Sequence, residues 1–157
     1  MADFEKMISE IKSKSTVVGI SSEEVSFVKS LVENKCKDKT LFVCEGLWAV
    51  EKLIDKKFEV LEFFYNQEKL ECGKVGDCDF EKIAKMANYA LKTFAISEKS
   101  CKKISDRDGF DEYFIVARLK NYSLSDIEKM YKNNNNVLAI VMDGLEQPGN
   151  IGAILRS

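Results

Sequence analysis

Four short runs rich in β-branched and aromatic residues divide the first 120 residues: TLFVC at 40–44, EVLEFFY at 59–65, KTFAI at 92–96 and EYFIVARL at 112–119. Runs of that length and make-up read as strands. Between them the apolar residues change period and recur three and four apart, as one face of a helix requires. Val25, Val28, Leu31 and Val32 mark such a face over 22–34. Leu47, Val50 and Ile54 mark one over 47–57, and Phe80, Ile83, Ala84, Ala87 and Leu91 one over 79–91. A strand that leads into a helix and then into another strand packs that helix on a sheet face. The alternation predicts a layered α/β domain over 20–120.

Local signals refine the elements. Ser21 and Glu24 fit a capping box for the first of these helices, and Ser97 caps another that runs to about Ile104. Residues 66–78 read as a loop around a short helical turn, and Arg107-Asp108-Gly109 as a turn. Ahead of the domain, Phe4, Met7, Ile8 and Ile11 recur at helical spacing, so 1–19 is read as a helical extension. Behind it, 121–136 is a linker: Ser125 and Glu128 can cap a short helix, and four consecutive asparagines follow.

Composition removes several chemistries. There is no histidine, so neither a Ser-His-Asp triad nor a histidine metal site can be built. The five cysteines (Cys36, Cys44, Cys72, Cys78, Cys101) are odd in number and contain no CxxC pair, against a disulfide framework or a zinc site. Cys44 falls in an apolar run and reads as core; Cys72 and Cys78 fall in a Gly/Asp-rich loop and read as exposed thiols. No apolar run is long enough for a transmembrane helix, and the charged N-terminus lacks the apolar stretch of a secretory signal. A cytoplasmic protein is the expectation. Residues 1–120 carry 21 Lys and Arg against 22 Asp and Glu. Any nucleic-acid contact must therefore come from a local patch.

The last stretch, VLAIVMDGLEQPGNIGAILRS at 137–157, carries the sharpest signal. Its first seven residues are an almost unbroken apolar run, the pattern of a strand buried on both faces of a parallel sheet. Gly144 to Asn150 then form a loop with the single proline, Pro148, and a helix starts at Ile151. Ligands of open α/β sheets bind at this carboxyl edge, and a helix N-terminus there favours anions. Gly144 and Gly149 have the glycine spacing of a P-loop, but Asn150 and Ile151 stand where Lys and Ser/Thr are required. Gly152 and Arg156 are four apart and share a helix face, with room over the glycine for a close approach.

DGLEQPGNIGAILRS resembles motif 1 of the SpoU (TrmH-like) RNA ribose 2′-O-methyltransferases, whose core is N-x-G-x-x-x-R. Asn150, Gly152 and Arg156 match it position for position, within the wider D-G-x-x-x-P-G-N-x-G-A-I-x-R pattern that includes Gly149. TLFVCEG at 40–46 resembles the family's F-x-V-E-G strand and turn, with Cys44 as one extra residue. SEKSCKKISD at 97–106 resembles the segment just before the substrate-binding domain ends. The resemblance implies an L30e-like three-layer α/β/α sandwich at 20–120 that binds substrate RNA. It implies that 137–157 is the first strand, loop and helix of a knotted SPOUT catalytic domain. It further implies methyl transfer from S-adenosylmethionine to a ribose of rRNA or tRNA, no metal, and a homodimer through the knot. Motifs 2 and 3 and the cofactor site would lie beyond residue 157, so these 157 residues alone are expected to be inactive.

Arg156 matches the family's catalytic arginine. A guanidinium stays protonated, so its chemical use is to stabilise the oxyanion that develops on a hydroxyl and to hold a phosphate. Asn150 would orient the arginine or hold the loop. The bland alternative is that Asn150 caps the helix and Arg156 is a solvated side chain. Glu45 either faces RNA or favours a helix start after a turn made by Gly46. Lys35, Lys37 and Lys39 form one candidate RNA-contacting cluster and Lys102, Lys103 and Arg107 another; either is otherwise a solvated face. Trp48, Phe63, Phe64 and Phe94 either stack on bases or pack. Two rival readings remain: a non-catalytic RNA-binding module, and an interaction domain with an unpaired strand at 137–143.

Overall fold

The computed structural model describes residues 2–72, 75–105, 112–133, 138, 140–144 and 147–156. The chain divides into two units, Met1–Lys120 and Asn121–Ser157. Among the described residues no helix is long and apolar enough to cross a membrane.

The first unit is built on five strands: β1 (Ser15–Val17), β2 (Leu41–Glu45), β3 (Val60–Asn66), β4 (Lys92–Ile96) and β5 (Tyr113–Arg118), in the order β1-β4-β3-β5-β2. β1, β4 and β3 run parallel, whereas β5 is antiparallel to both β3 and β2. Its helices are α1 (Ala2–Ser13), α2 (Glu23–Val32), α3 (Val50–Asp55), α4 (Gln67–Glu71), α5 (Asp77–Tyr89) and α6 (Glu98–Ile104), with a single 3-10 turn at Leu47–Ala49.

Alternation along each strand feeds two separate cores. Phe63, Tyr65, Ile115 and Ala117 point to one face, where they meet Ile11, Leu53, Leu70, Ile83 and Met86 from α1, α3, α4 and α5. Phe64, Phe94, Phe114 and Val116 point to the other, against Val25 and Val28 of α2 and Cys101 and Ile104 of α6. The result is the three-layer α/β/α sandwich. Burial of each large side chain such as Phe63 or Phe64 contributes roughly 1.5–3 kcal/mol.

The structure departs from the sequence reading in four places. Residues 1–19 are not a separate extension: α1 buries Ile11, and Ser15–Val17 pairs with β4 as an edge strand. Ser22, not Ser21, caps α2, its side chain accepting from Val25 N–H at 3.2 Å. In the linker, Ser123 and Asp126 cap a longer helix, α7 (Leu124–Asn133), by reciprocal bonds to each other's backbone N–H of 2.9 and 3.2 Å; Ser125 and Glu128 do not. Of the strand expected at 137–143, none of the described residues is in a ladder. A strand exists only by pairing, and nothing described in the second unit supplies a partner edge. The Arg107-Asp108-Gly109 turn lies outside the described residues.

Candidate functional site

At the carboxyl edge of the first unit's sheet, β2 ends in Glu45 and the chain turns at Gly46, whose φ of 89° and ψ of 165° suit glycine. The Gly46 N–H donates to the Tyr113 carbonyl at 2.9 Å, so the turn stays tied to β5. The Glu45 side chain is half-buried, and its Oε2 accepts from the hydroxyl of buried Ser105, which follows α6, at 2.9 Å. The Glu45 backbone carbonyl accepts from the Trp48 indole N–H at 2.8 Å. Glu45 thus pins two structures to the end of β2, the tail of α6 and the indole.

The neighbouring strand ends complete this edge. Asn66 is buried at the end of β3, caps α4 by accepting from Glu68 and Lys69 N–H, and donates through Nδ2 to Glu112 Oε1 at 3.3 Å. Glu112 also pairs with the Lys69 ammonium. Gly46, Leu47, Trp48, Lys69, Lys82 and Glu112 line part of an open cleft of about 480 Å³. Asn66, Lys69 and Glu112 line a second, adjoining cleft of about 280 Å³. Asn66, Lys69, Glu112 and Ser105 escaped the sequence reading. The available signal was an asparagine at a strand's carboxyl edge that opens a helix.

The predicted lysine cluster lies before the other end of β2, whose five residues alone span about 14 Å. Lys35 pairs with Glu33 at 2.8 Å, and Lys39 donates to the Asn34 carbonyl and to its side-chain oxygen, both at 3.2 Å. Lys37 is exposed. The Lys35 ammonium, with Lys29 beside it, holds the Glu33 carboxyl below the usual carboxylate range. Bonds from Thr40 and the nearby Arg118 do the same for Asp38. Glu45 and Lys35, Lys37 and Lys39 therefore do not form one patch. In the other predicted cluster, Lys102 pairs with Glu98 one turn back and Lys103 donates to the Ile20 carbonyl at 2.7 Å. Arg107 lies outside the described residues. Of the four aromatic candidates, Phe63, Phe64 and Phe94 are core, and Trp48 is exposed.

The second unit carries the motif on α8 (Pro148–Arg156). The helix begins three residues earlier than its hydrophobic pattern suggests, because Pro148 suits a first helical position. Asn150 consequently lies inside the first turn and is not its cap. Its N–H and that of Ile151 both go to the Gln147 carbonyl, at 3.0 and 3.5 Å, and Pro148 has no N–H. These three residues offer no free backbone donors to an anion. Gly149, Gly152 and Arg156 share one helix face, and the guanidinium folds back over Gly152, where a Cβ would stand 3.1 Å from Nη1. Asn150 is about 120° around the helix from Arg156. Among the described residues no carboxylate pairs with Arg156, which is exposed.

No protein-family model and no curated protein matches the chain. Solved structures do match. A structure described as an RNA 2′-O ribose methyltransferase superposes with a TM-score of 0.58 at 23% identity, over 90% of this chain and 50% of that one. Over that half, the chain shares the fold of this structure. The SpoU methyltransferase AviRb from Streptomyces viridochromogenes, in complex with the cofactor AdoMet, matches at a TM-score of 0.55 and 16% identity, over 86% of this chain and 48% of its own. An rRNA methyltransferase from Sinorhizobium meliloti matches at 0.51 and 20%, over 70% and 39%. The chain thus spans half or less of the length of these structures. Among the described residues no group of three or more Cys, Asp or Glu side chains is placed to hold a metal ion.

Proposed function

We propose that the chain is the RNA-binding region and first catalytic motif of an S-adenosylmethionine-dependent RNA ribose 2′-O-methyltransferase, acting on rRNA or tRNA. The observation that carries the reading is the arginine folded onto a glycine in α8, in a chain whose fold is shared with proteins described as such enzymes. A planar, permanently charged donor fork fits a phosphate and the oxygen of a ribose hydroxyl. Held close to that oxygen, it stabilises the negative charge that develops as the hydroxyl proton leaves. Gly152 keeps the space over the helix open so that the guanidinium and a ribose–phosphate can both approach. Asn150, off that face, holds the loop rather than the guanidinium.

S-adenosylmethionine, when bound, supplies the methyl group. Its sulfonium is a cation, so a guanidinium-bearing face suits it poorly and suits an anionic ribose–phosphate well. No cofactor contact is assigned to α8. We place the intact protein in the cytoplasm as a homodimer.

A second reading, a non-catalytic RNA-binding module, is favoured by one observation: the unit Met1–Lys120 has two cores of its own. A filter-binding titration against rRNA and tRNA fragments at low and moderate salt tests what the two readings share. Binding that weakens as salt rises is expected; no retention above background at either salt removes both.

A further inference from the structure

Large aromatic side chains are normally buried, and a tryptophan left outside a core is fixed in place only by something that holds its polar end. Trp48 is 65% exposed at the mouth of the cleft next to Gly46. Its indole N–H is committed to the Glu45 carbonyl at 2.8 Å, so the ring is anchored by its edge while much of its surface meets water. The Lys52 ammonium, one turn along, lies 5.6 Å from the ring centroid. Lys69 and Lys82 line the same cleft, but each is matched by an acid, Glu112 and Asp79. The cleft therefore has little net charge and one pre-oriented aromatic plate with a cation against it.

We infer that Trp48 is a stacking platform for one unpaired RNA base, with Lys52 set to meet the adjoining phosphate. The inference rests on the RNA-binding reading and deepens it. An anchored indole loses little freedom when a base stacks on it, and stacking tolerates any base because each has a π-face. The near balance of charge elsewhere in the cleft leaves backbone phosphates little to hold there, which favours a base over a duplex backbone. The Glu45 backbone carbonyl then sets the orientation of the indole.

Trp48 is the single tryptophan of the chain, so its emission reports this site alone. The full chain is titrated with a fluorescein-labelled single-stranded oligoribonucleotide of mixed sequence, and with an abasic ribose–phosphate strand of equal length. Emission is expected to fall in step with the rise in RNA anisotropy, and the abasic strand is expected to leave it unchanged. Trp48→Leu, with its melting curve preserved, is expected to bind the RNA about tenfold more weakly, and Trp48→Phe to keep most of the affinity. RNA binding without quenching, with Trp48→Leu binding normally, overturns the platform and leaves the RNA reading intact. No RNA binding overturns both. Emission that ignores RNA but shifts to the blue as the protein is concentrated assigns the indole to a protein contact and also overturns it.

Discussion

The guanidinium of Arg156 lies directly over Gly152: a Cβ added at the glycine would stand 3.1 Å from Nη1 and 3.7 Å from Cζ and Nη2. The contact is with the flexible end of a side chain, so the backbone can accept alanine, and alanine is the better helix former by up to about 1 kcal/mol. Stability and chemistry should therefore separate. On the proposed reading, Gly152→Ala in the intact protein is expected to leave the melting temperature unchanged or higher. Methyl transfer is expected to drop by on the order of tenfold to a hundredfold, because the guanidinium is displaced. Thermal melts and single-turnover assays on one preparation check both halves.

Gly46 should behave in the opposite way. Its φ of 89° with an extended ψ is a conformation other residues reach only at a cost. Gly46→Ala is expected to destabilise the first unit by about 1–3 kcal/mol. A urea titration followed by circular dichroism measures this, and an unchanged midpoint would mean that the turn relaxes freely.

Glu62 on β3 has a buried carboxylate oxygen, Oε2, without a hydrogen-bond partner among the described residues. Burial pushes its carboxyl above the usual range; Lys92 opposes the shift and Glu24 adds to it. A raised folded value means that the folded state holds its proton more tightly than the unfolded one. The folded state is then favoured at pH below the unfolded value of about 4.3, and that advantage is lost as pH rises through the folded value. Glu62→Gln is expected to raise stability at pH 7, by under about 1 kcal/mol because the group keeps part of its water. It should flatten the stability profile in that window. Denaturant midpoints at pH 4 and pH 7 for both proteins decide it.

The free thiols should sort by burial. Cys101 is buried between α6 and the sheet, and burial, with Glu112 nearby, pushes its thiol up to about 12. Cys72 and Cys78 are exposed. Alkylation at pH 8 followed by peptide mass mapping is expected to mark Cys72 and Cys78 in the folded protein, and Cys101 only after unfolding.

Where the sequence reading succeeded, a local pattern stood for a whole element. The spacing of Phe80, Ile83, Ala84 and Ala87 is the buried face of α5, and the run EVLEFFY at 59–65 is β3 to within one residue at each end. Failures came where partners far along the chain decide. Ser15–Val17 is too short and polar to announce a strand, and becomes one only through β4. Residues 137–143 have the composition of a buried strand and no described edge to pair with. Lys35 and Lys39 look like a basic patch in one dimension, yet Glu33 and Asn34 engage both. Glu45, singled out for RNA, also accepts from Ser105 through its side chain and from Trp48 through its carbonyl, neither of which its sequence context announces. Gly152 and Arg156 needed only helical spacing to be paired, and the pairing is present in α8.

The role of Arg156 is tested most directly by transfer of labelled methyl groups to RNA by the intact protein and by its Arg156→Ala and Arg156→Lys variants, with RNA affinity measured in parallel. Label is expected at ribose 2′-oxygens, with a loss of on the order of a hundredfold or more in kcat for both variants, since lysine lacks the planar fork. RNA affinity should remain nearly unchanged. Full activity in Arg156→Ala, or label on a base rather than a ribose, would contradict that role.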